Sequence, residues 1–379
     1  MKTVIAIDSF KGSMTSIEAG EAVKRAALRL DKNNEVIVRP LADGGEGTVE
    51  ALHSGLSGEM ISVSVSDPLG RKISAEYCIL PDGETAVIEM AAAAGITLIK
   101  NSERNPLNTT TYGVGEMIRD AISRGARRFI VGIGGSATND GGIGMLSALG
   151  FEFLDKNGET VELFGRGLRN IASIKTEKAL PELLKCSFRI ACDVTNPLCG
   201  SNGCSAVYGP QKGATPEIIA AMDGWLKNYA ELAKSVSENA DSDFPGVGAA
   251  GGLGFAFKTF LKAELKSGID IILSETKLEE YIKDADLVIT GEGRLDSQTV
   301  MGKAPIGVAK LAKKHGKRVI AFSGCVTEDA EIINEHGIDA FFPIMRGVVT
   351  LAEALDKNNA AKNLEATAYQ VLRLIKCGI

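Results

Sequence analysis

The sequence predicts an α/β protein with two lobes, in which a discontinuous, doubly wound parallel-sheet domain carries an inserted mixed α/β domain. Three observations lead to this fold class. The chain has 379 residues, more than one hydrophobic core usually serves. Its two ends share a rhythm of apolar run, glycine-containing loop and helix, which is typical of a parallel sheet covered by helices. Its middle has short alternating runs between turn signals, which indicate antiparallel strands.

The two ends of the chain supply the elements of the first domain. Apolar runs predict the strands, and helical spacing predicts the helices between them. In chain order they are strand 4–7, helix 17–30, strand 36–38, strand 287–290, helix 303–314, strand 318–322 and strand 341–344. We therefore predict that residues 1–60 and 284–379 form one doubly wound domain.

The middle of the chain, residues 61–283, is predicted to be the inserted domain. Short alternating runs at 61–65, 72–80 and 86–90 are separated by the turn sequences DPLG and PDG, as in an antiparallel meander. Helices and strands then mix through residue 283. The result is a mixed α/β domain rather than a second parallel sheet.

Composition excludes several classes of protein. The net charge is -6 and no long block of like charges occurs, which argues against a nucleic-acid partner. The first apolar run, 4–7, is too short for a signal peptide or a membrane span, so we expect a cytoplasmic protein with no membrane partner. Seven cysteines without a CxxC pair predict neither a disulfide framework nor a zinc site.

Residues 132–142, with the sequence GIGGSATNDGG, form the strongest candidate binding loop, which we call the glycine run. It follows a strand-like segment and precedes a helix-like one, so several backbone N–H groups and a helix dipole can point at one anion. The alternative is a tight strand-to-helix turn capped by Asn139 or Asp140. Neither the Walker spacing nor a GxGxxG fingerprint is present. The candidate phosphate-binding residues are Gly134, Gly135, Ser136, Thr138, Asn139, Asp140 and Gly141.

Three more loops with charged residues follow predicted strands of the first domain. Because the carboxyl ends of parallel strands lie at one edge of a sheet, we expect these loops to converge. Carboxylates that hold Mg²⁺ and cations that neutralise a transferred phosphoryl group are what phosphoryl transfer needs. The alternative for each single acid is a helix cap or a turn. The charged residues concerned are Asp8, Lys11, Asp43, Glu292, Arg294 and Asp296.

The inserted domain adds two charged candidates and a second glycine-rich segment. Asp193 follows a strand-like run and can orient or deprotonate a substrate hydroxyl, the alternative being a polar turn ended by Pro197. Lys212 can pair with an anionic group. Residues 246–254 are read either as close helix packing or as a second anion loop.

Six blocks of sequence, in this order, resemble the signature blocks of the bacterial class I glycerate kinase family. The similarity extends from the first strand to the C-terminal region. The blocks are AIDSFKGS at 6–13, ADGGEGT at 42–48, GIGGSATNDGG at 132–142, DVTNPLCG at 193–200, GPQKGA at 209–214 and TGEGRLD at 290–296. The resemblance implies a flavodoxin-like domain with an inserted restriction-enzyme-like domain. It also implies an ATP- and Mg²⁺-dependent kinase that acts on D-glycerate, with 2-phosphoglycerate favoured over 3-phosphoglycerate.

The roles of individual residues are inferred from the loops themselves and not from the resemblance, with phosphoryl transfer expected in a cleft between the two domains. A non-catalytic sensor of small carboxylic acids and a dinucleotide-dependent hydroxy-acid dehydrogenase are the alternatives. Whether the chain forms a homodimer is left open. We assign Asp193, Lys11 and Arg294 to catalysis, the glycine run to ATP, Asp8, Asp43 and Lys212 to the substrate, and Asp43, Glu292 and Asp296 to Mg²⁺.

Overall fold

The computed structural model describes residues 1–42 and 47–378, which divide into two compact units. Within those residues, the first unit comprises 1–42, Glu50–Ser57 and 269–378, and the second comprises 47–49 and Gly58–Gly268. The predicted class, a two-domain α/β protein with parallel and mixed sheets, is confirmed. The predicted boundaries near residues 60 and 284 stay predictions.

The described part of the first unit contains a five-stranded sheet in which every neighbouring pair is parallel. Read from one edge, the order is β2-β1-β11-β12-β13, which is the flavodoxin-like order 2-1-3-4-5. The order reverses between β1 and β11, where ligands of such sheets bind. The strands are β1 (Lys2–Ile5), β2 (Glu35–Val38), β11 (Leu287–Leu295), β12 (Arg318–Val326) and β13 (Ala340–Pro343).

Helices cover the faces of this sheet. The first helix begins at a capping box, in which the Thr15 side chain accepts from the Glu18 amide and Glu18 accepts from the Thr15 amide. Small residues at helical spacing, from Ala19 to Ala27, form its buried stripe. The helices that lie wholly or mostly in this unit are α1 (Ser16–Leu30), α2 (Thr48–Leu56), α9 (Gly268–Glu275), α10 (Leu278–Ile282), α11 (Ala304–Lys314), α12 (Leu351–Leu355) and α13 (Lys357–Lys376).

The described part of the second unit contains a six-stranded mixed sheet of order β10-β9-β6-β5-β4-β3. The pairs β3–β4 and β4–β5 are antiparallel, which confirms the predicted meander, whereas β5, β6, β9 and β10 run parallel. The strands β7 and β8 pair as a separate two-stranded antiparallel sheet. The strands are β3 (Glu59–Ser66), β4 (Lys72–Ile79), β5 (Thr85–Glu89), β6 (Arg128–Gly132), β7 (Glu152–Leu154), β8 (Ser173–Lys175), β9 (Ser187–Ala191) and β10 (Glu264–Lys266).

The core of the second unit is rich in aromatic side chains. Phe129 stacks on Phe188 across two neighbouring strands with ring centroids 4.7 Å apart, and such an aromatic contact adds to the stabilisation from burial. Tyr229 packs edge-to-face on Phe255 in a helix that is buried along most of its length. The helices of this unit are α3 (Ala91–Ala94), α4 (Tyr112–Ser123), α5 (Ile143–Ala148), α6 (Cys204–Tyr208), α7 (Pro216–Lys234) and α8 (Ala249–Leu261).

One predicted loop is part of a strand. The sequence placed 290–296 in a loop after a strand that ends at 290, but β11 continues to Leu295 and pairs with β12 as far as Val326. Gly291 permits this pairing, because a Cβ at that position would lie 2.1 Å from the Phe322 carbonyl oxygen.

Candidate functional site

The carboxyl ends of the parallel strands in the second unit bring three candidate groups to one edge of the sheet. Glu89 ends β5 and is paired with Gly132 on β6, which is in turn paired with Ala191 on β9. Neighbouring strands lie about 4.8 Å apart. The glycine run begins at Gly132, and Asp193 lies two residues after Ala191, so both leave the sheet side by side with Glu89.

Two glycines of the glycine run are exposed, and the residues on either side of them are buried. Gly134 and Gly135 are exposed, whereas every residue from Ser136 to Gly142 is buried. The backbone of the exposed part is fixed by a hydrogen bond, in which the Gly135 carbonyl accepts from the Ile96 amide at 2.9 Å. The two exposed glycines are thus the part of the run that a ligand can reach.

Asp140 is fully buried and is the acceptor of four hydrogen bonds. Thr111 donates through its amide and its hydroxyl, and the amides of Gly142 and Gly144 complete the set. Burial raises the pKa of Asp140, an effect that these hydrogen bonds oppose. The amides at the start of the six-residue helix α5 are therefore used within the chain, and Asp140 joins that helix to the start of α4.

Lys212 is 2% exposed and binds the glycine run from inside the unit. Its Nζ donates to Ser136 Oγ at 2.7 Å and to the Thr138 carbonyl oxygen at 2.6 Å. Burial lowers the pKa of Lys212 to about 8, against the opposing effects of Cys204 and Asp140. At neutral pH the group is therefore an ammonium.

The second glycine-rich segment packs directly on the glycine run. Ala250, Gly251 and Gly252 are three consecutive residues in the left-handed region, with φ between 54° and 88°. The Gly251 carbonyl accepts from the Gly141 amide at 3.0 Å, and a Cβ on Gly251 would lie 2.1 Å from the Thr138 carbonyl oxygen. The sequence allowed residues 246–254 to be either a close helix-packing segment or a second anion loop, and this contact is close packing.

Asp193 is exposed just beyond the end of β9. Its Oδ1 accepts a hydrogen bond from the Gly268 amide at 3.0 Å, which fixes the carboxylate beside the end of β10. The loop that follows is tied to the second glycine-rich segment, because the Gly248 amide donates to the Asn196 carbonyl at 3.0 Å. Asp193 thus has a defined position and remains accessible to a ligand.

In the first unit, Asp8 and Lys11 follow β1 at the point where the strand order reverses. Asp8 is buried, its amide donates to the Gly291 carbonyl on β11 at 2.8 Å, and its Oδ1 accepts from the Ser9 amide at 2.7 Å. Lys11 is exposed. Both residues therefore lie where a flavodoxin-like sheet binds its ligand.

Glu292 and Asp296 lie close to one ammonium group in the same unit. Lys303 Nζ is 3.9 Å from Glu292 Oε2 and 3.3 Å from Asp296 Oδ1. Thr299 Oγ1 donates to the other Glu292 oxygen at 2.8 Å, and Arg294 Nε is 3.3 Å from Asp296 Oδ2. Two predicted metal ligands and one predicted catalytic cation are thus brought together, whereas Asp43 lies outside the described residues.

The described residues contain neither a clustered metal site nor a membrane-spanning helix. Within residues 1–42 and 47–378, no three or more His, Cys, Asp or Glu side chains are grouped as a metal site requires. In that same part of the chain, no helix is long and apolar enough to cross a membrane.

Comparison with known proteins identifies the family. The model of the "Glycerate kinase family" matches residues 3–376. The chain belongs to the glycerate kinase family. The Haemophilus influenzae glycerate kinase is 46% identical over 375 residues, 99% of both chains, and the Escherichia coli glycerate 2-kinase is 46% identical over 97% of this chain and 98% of its own. A solved structure from Salmonella typhimurium LT2, whose description names glycerate kinase 2, has a TM-score of 0.92 and 45% identity, covering 100% of this chain and 99% of its own.

Several residues of this glycerate kinase family member were missed by sequence reasoning. Lys303 and Thr299 bind Glu292 and Asp296 within one strand-to-helix connection, and the only local signal is their position seven to eleven residues after the first acid. Glu89 ends a strand that was predicted, but no glycine cluster marks it. Thr111, the main donor to Asp140, lies 29 residues from it in sequence and carries no recognisable motif.

Proposed function

We propose that this chain phosphorylates D-glycerate with ATP as the phosphoryl donor, and that 2-phosphoglycerate is the favoured product. The observation that carries the proposal is similarity along the whole chain to enzymes named glycerate kinase, one of them named glycerate 2-kinase. At 46% identity over almost the entire length, a change of reaction class would require changes at the loops, yet all six signature blocks are present.

The proposed site for the ATP phosphates is the glycine run, with direct contact at Gly134, Gly135 and Ser136. Exposed glycines let backbone N–H groups approach an anion closely. The buried residues of the run, Thr138 and Asn139 among them, hold that loop in place. Asp140 and Gly141 support it through the hydrogen bonds described above.

The carboxylates of Glu292 and Asp296 fit a Mg²⁺ ion, because both face a site where a cation is already stabilised and carboxylate oxygens are the ligands that Mg²⁺ prefers. Asp43 is the third proposed ligand. When bound, Mg²⁺ supplies positive charge to the oxygens of the transferred phosphoryl group.

The remaining charged groups act on the substrate. Asp193 orients the attacking hydroxyl of glycerate and accepts its proton, and its accessibility supports this role. Lys11 and Arg294 hold the glycerate carboxylate or the γ-phosphoryl group, since both are exposed cations and Arg294 lies beside the Asp296 carboxylate. Asp8 lines the same edge of the sheet.

The test is ADP production with a panel of hydroxy acids, followed by phosphorus NMR of the product. We expect ADP only when D-glycerate is present, loss of turnover when EDTA removes Mg²⁺, and a phosphate signal coupled to the proton on C2. A protein that binds glycerate but makes no ADP would be a sensor. A phosphate signal coupled to the two C3 protons would show 3-phosphoglycerate as the product.

A further inference from the structure

Lys212 and Ser136 form a buried pair directly behind the two exposed glycines of the run. Lys212 is 2% exposed and Ser136 is 8% exposed, and their Nζ and Oγ atoms are 2.7 Å apart. Ser136 follows Gly135 in sequence, so the pair joins the buried interior of the unit to the part of the loop that a ligand can reach.

The chemistry of the two groups fixes the direction of their hydrogen bond. An ammonium group has donors only, so Ser136 Oγ must be the acceptor. A serine hydroxyl that accepts one bond still has its own proton to donate. Within residues 1–42 and 47–378, the only side-chain hydrogen bond made by Ser136 is this one. Its proton is therefore available to an oxygen that a ligand brings to Gly134 and Gly135.

A second bond holds the geometry of the loop. Lys212 Nζ also donates to the Thr138 carbonyl at 2.6 Å, so one ammonium spans residues 136 to 138. A hydrogen bond to a charged donor polarises the hydroxyl that accepts it, and chained hydrogen bonds of this kind strengthen one another. The positive charge of Lys212 thus makes Ser136 a better donor towards an anion.

We propose that Lys212 is a positioning residue whose ammonium holds Ser136 so that the Ser136 hydroxyl donates to a phosphate oxygen of ATP. The proposal rests on the proposed function, because it takes the glycine run as the phosphate site. It differs from the sequence-based prediction, in which Lys212 contacts the substrate itself.

The experiment is a double-mutant cycle on ATP affinity. Ser136→Ala, Lys212→Met and the double variant are compared with the wild type by calorimetric titration with ATP and by steady-state kinetics. We expect each single substitution to weaken ATP binding about ten-fold, the loss of one charge-assisted hydrogen bond. The double variant should bind ATP no more weakly than either single variant, and KM for glycerate should stay unchanged. Thr259→Val, which removes a buried hydroxyl that has no hydrogen-bond partner among the described residues, is the control and should leave ATP affinity unchanged.

A pH profile gives a readout that a purely structural role would not move. Above its pKa of about 8, the neutral Lys212 amine has a lone pair and can accept a hydrogen bond from the Ser136 hydroxyl. The hydroxyl proton then points at Lys212 and no longer at the ligand. The groups that act on this titration are Asp140 and Cys204. We expect wild-type ATP affinity to fall between pH 7 and pH 9 and the affinity of Ser136→Ala to stay flat. This arm needs no Lys212 variant, so it remains decisive if Lys212→Met does not fold.

Three results would overturn the proposal. The first is a double variant in which the two fold-losses of ATP affinity multiply. The second is a Lys212→Met variant with a lower Tm but unchanged ATP affinity, and the third is an equal pH profile of ATP affinity for wild type and Ser136→Ala. Each of these results can be told apart from a failure of the proposed glycerate kinase function. A wild-type protein that makes no ADP with D-glycerate would count against glycerate kinase activity, while the ATP-binding comparison could still be made.

Discussion

The backbone amide and the hydroxyl of Thr111 both donate to the same carboxylate oxygen of Asp140, each at 2.8 Å. Both residues are fully buried, and the Thr111 hydroxyl in turn accepts from the Met145 amide at 2.9 Å. Asp140 is therefore a structural centre of the second unit, where it fixes the glycine run against two helix starts.

Replacing Asp140 by Asn should destabilise the protein by about 3 kcal/mol, because an amide NH₂ would face backbone donors in a buried site. Chemical unfolding monitored by circular dichroism measures the loss. Asp241→Asn is the matched control, since Asp241 is exposed and accepts one hydrogen bond from the Asp243 amide. Equal stability of the two variants would show that the buried carboxylate is not a structural centre.

Gly251→Ala should be among the most damaging substitutions in the second unit. The new Cβ would lie 2.1 Å from the Thr138 carbonyl oxygen and 2.5 Å from the Asn139 Cα. The left-handed backbone adds strain of about 1–2 kcal/mol. Gly158→Ala has similar strain at φ 81° but open space around it, so it separates strain from collision. Thermal unfolding should show a clearly larger fall in Tm for Gly251→Ala, and similar values would contradict the packing described here.

Asp193→Asn should lower kcat roughly 10²–10⁴-fold with the fold intact, if the carboxylate accepts the substrate proton. The asparagine oxygen can still accept from the Gly268 amide, so the loop should keep its position. Coupled ADP assays measure the change, and Asp155→Asn, in a turn next to β7, serves as control. Undiminished turnover would remove Asp193 from the mechanism.

Acid should weaken the second unit through Asp82. Burial raises the pKa of this carboxyl, but hydrogen bonds from Thr85, Glu84 and Arg128 outweigh it and lower the pKa to about 2. Because the folded-state pKa lies below the unfolded value, the stabilisation is present above about pH 4 and is lost as the pH falls towards 2. The side chain is 41% exposed, so solvent screening reduces the effect to about 1 kcal/mol.

The measurement for Asp82 is the free energy of unfolding as a function of pH. The wild type should lose stability between pH 4 and pH 2 more steeply than Asp82→Asn, which lacks the titrating group. Parallel curves for the two proteins would show that this carboxylate does not contribute.

Much of the fold could be predicted because short apolar runs in the sequence correspond to buried strands. The runs at 61–65, 72–80 and 86–90 became β3, β4 and β5, and the helix predicted over 17–30 is α1. The extension of β11 to Leu295 could not be predicted in this way, because Gly291 and Gly293 read as loop residues. The lack of a side chain at Gly291 instead allows the close approach of Phe322 on β12, a strand that follows about 30 residues later in the sequence.

The site was harder to predict than the fold. The glycine run was recognised as a candidate from local pattern alone, but which of its residues are exposed and which are buried depends on partners distant in sequence. Lys212 donates a hydrogen bond to Ser136, which is 76 residues away in sequence, and Gly251 packs on Thr138, which is more than a hundred residues away. A local motif shows which residues can bind an anion, whereas these distant contacts decide which of them face a ligand.

The parallel pairing of β1 with β11 has a consequence for synthesis. The N-terminal strand is made first, yet β11, its neighbour on one side, begins only at Leu287, and the helix that packs on α1 ends at Lys376. Domains generally fold as units while the chain emerges from the ribosome. We therefore expect residues 58–268 to fold on the nascent chain before β1 has its partner strand β11. The residues translated first would then be among the last to fold.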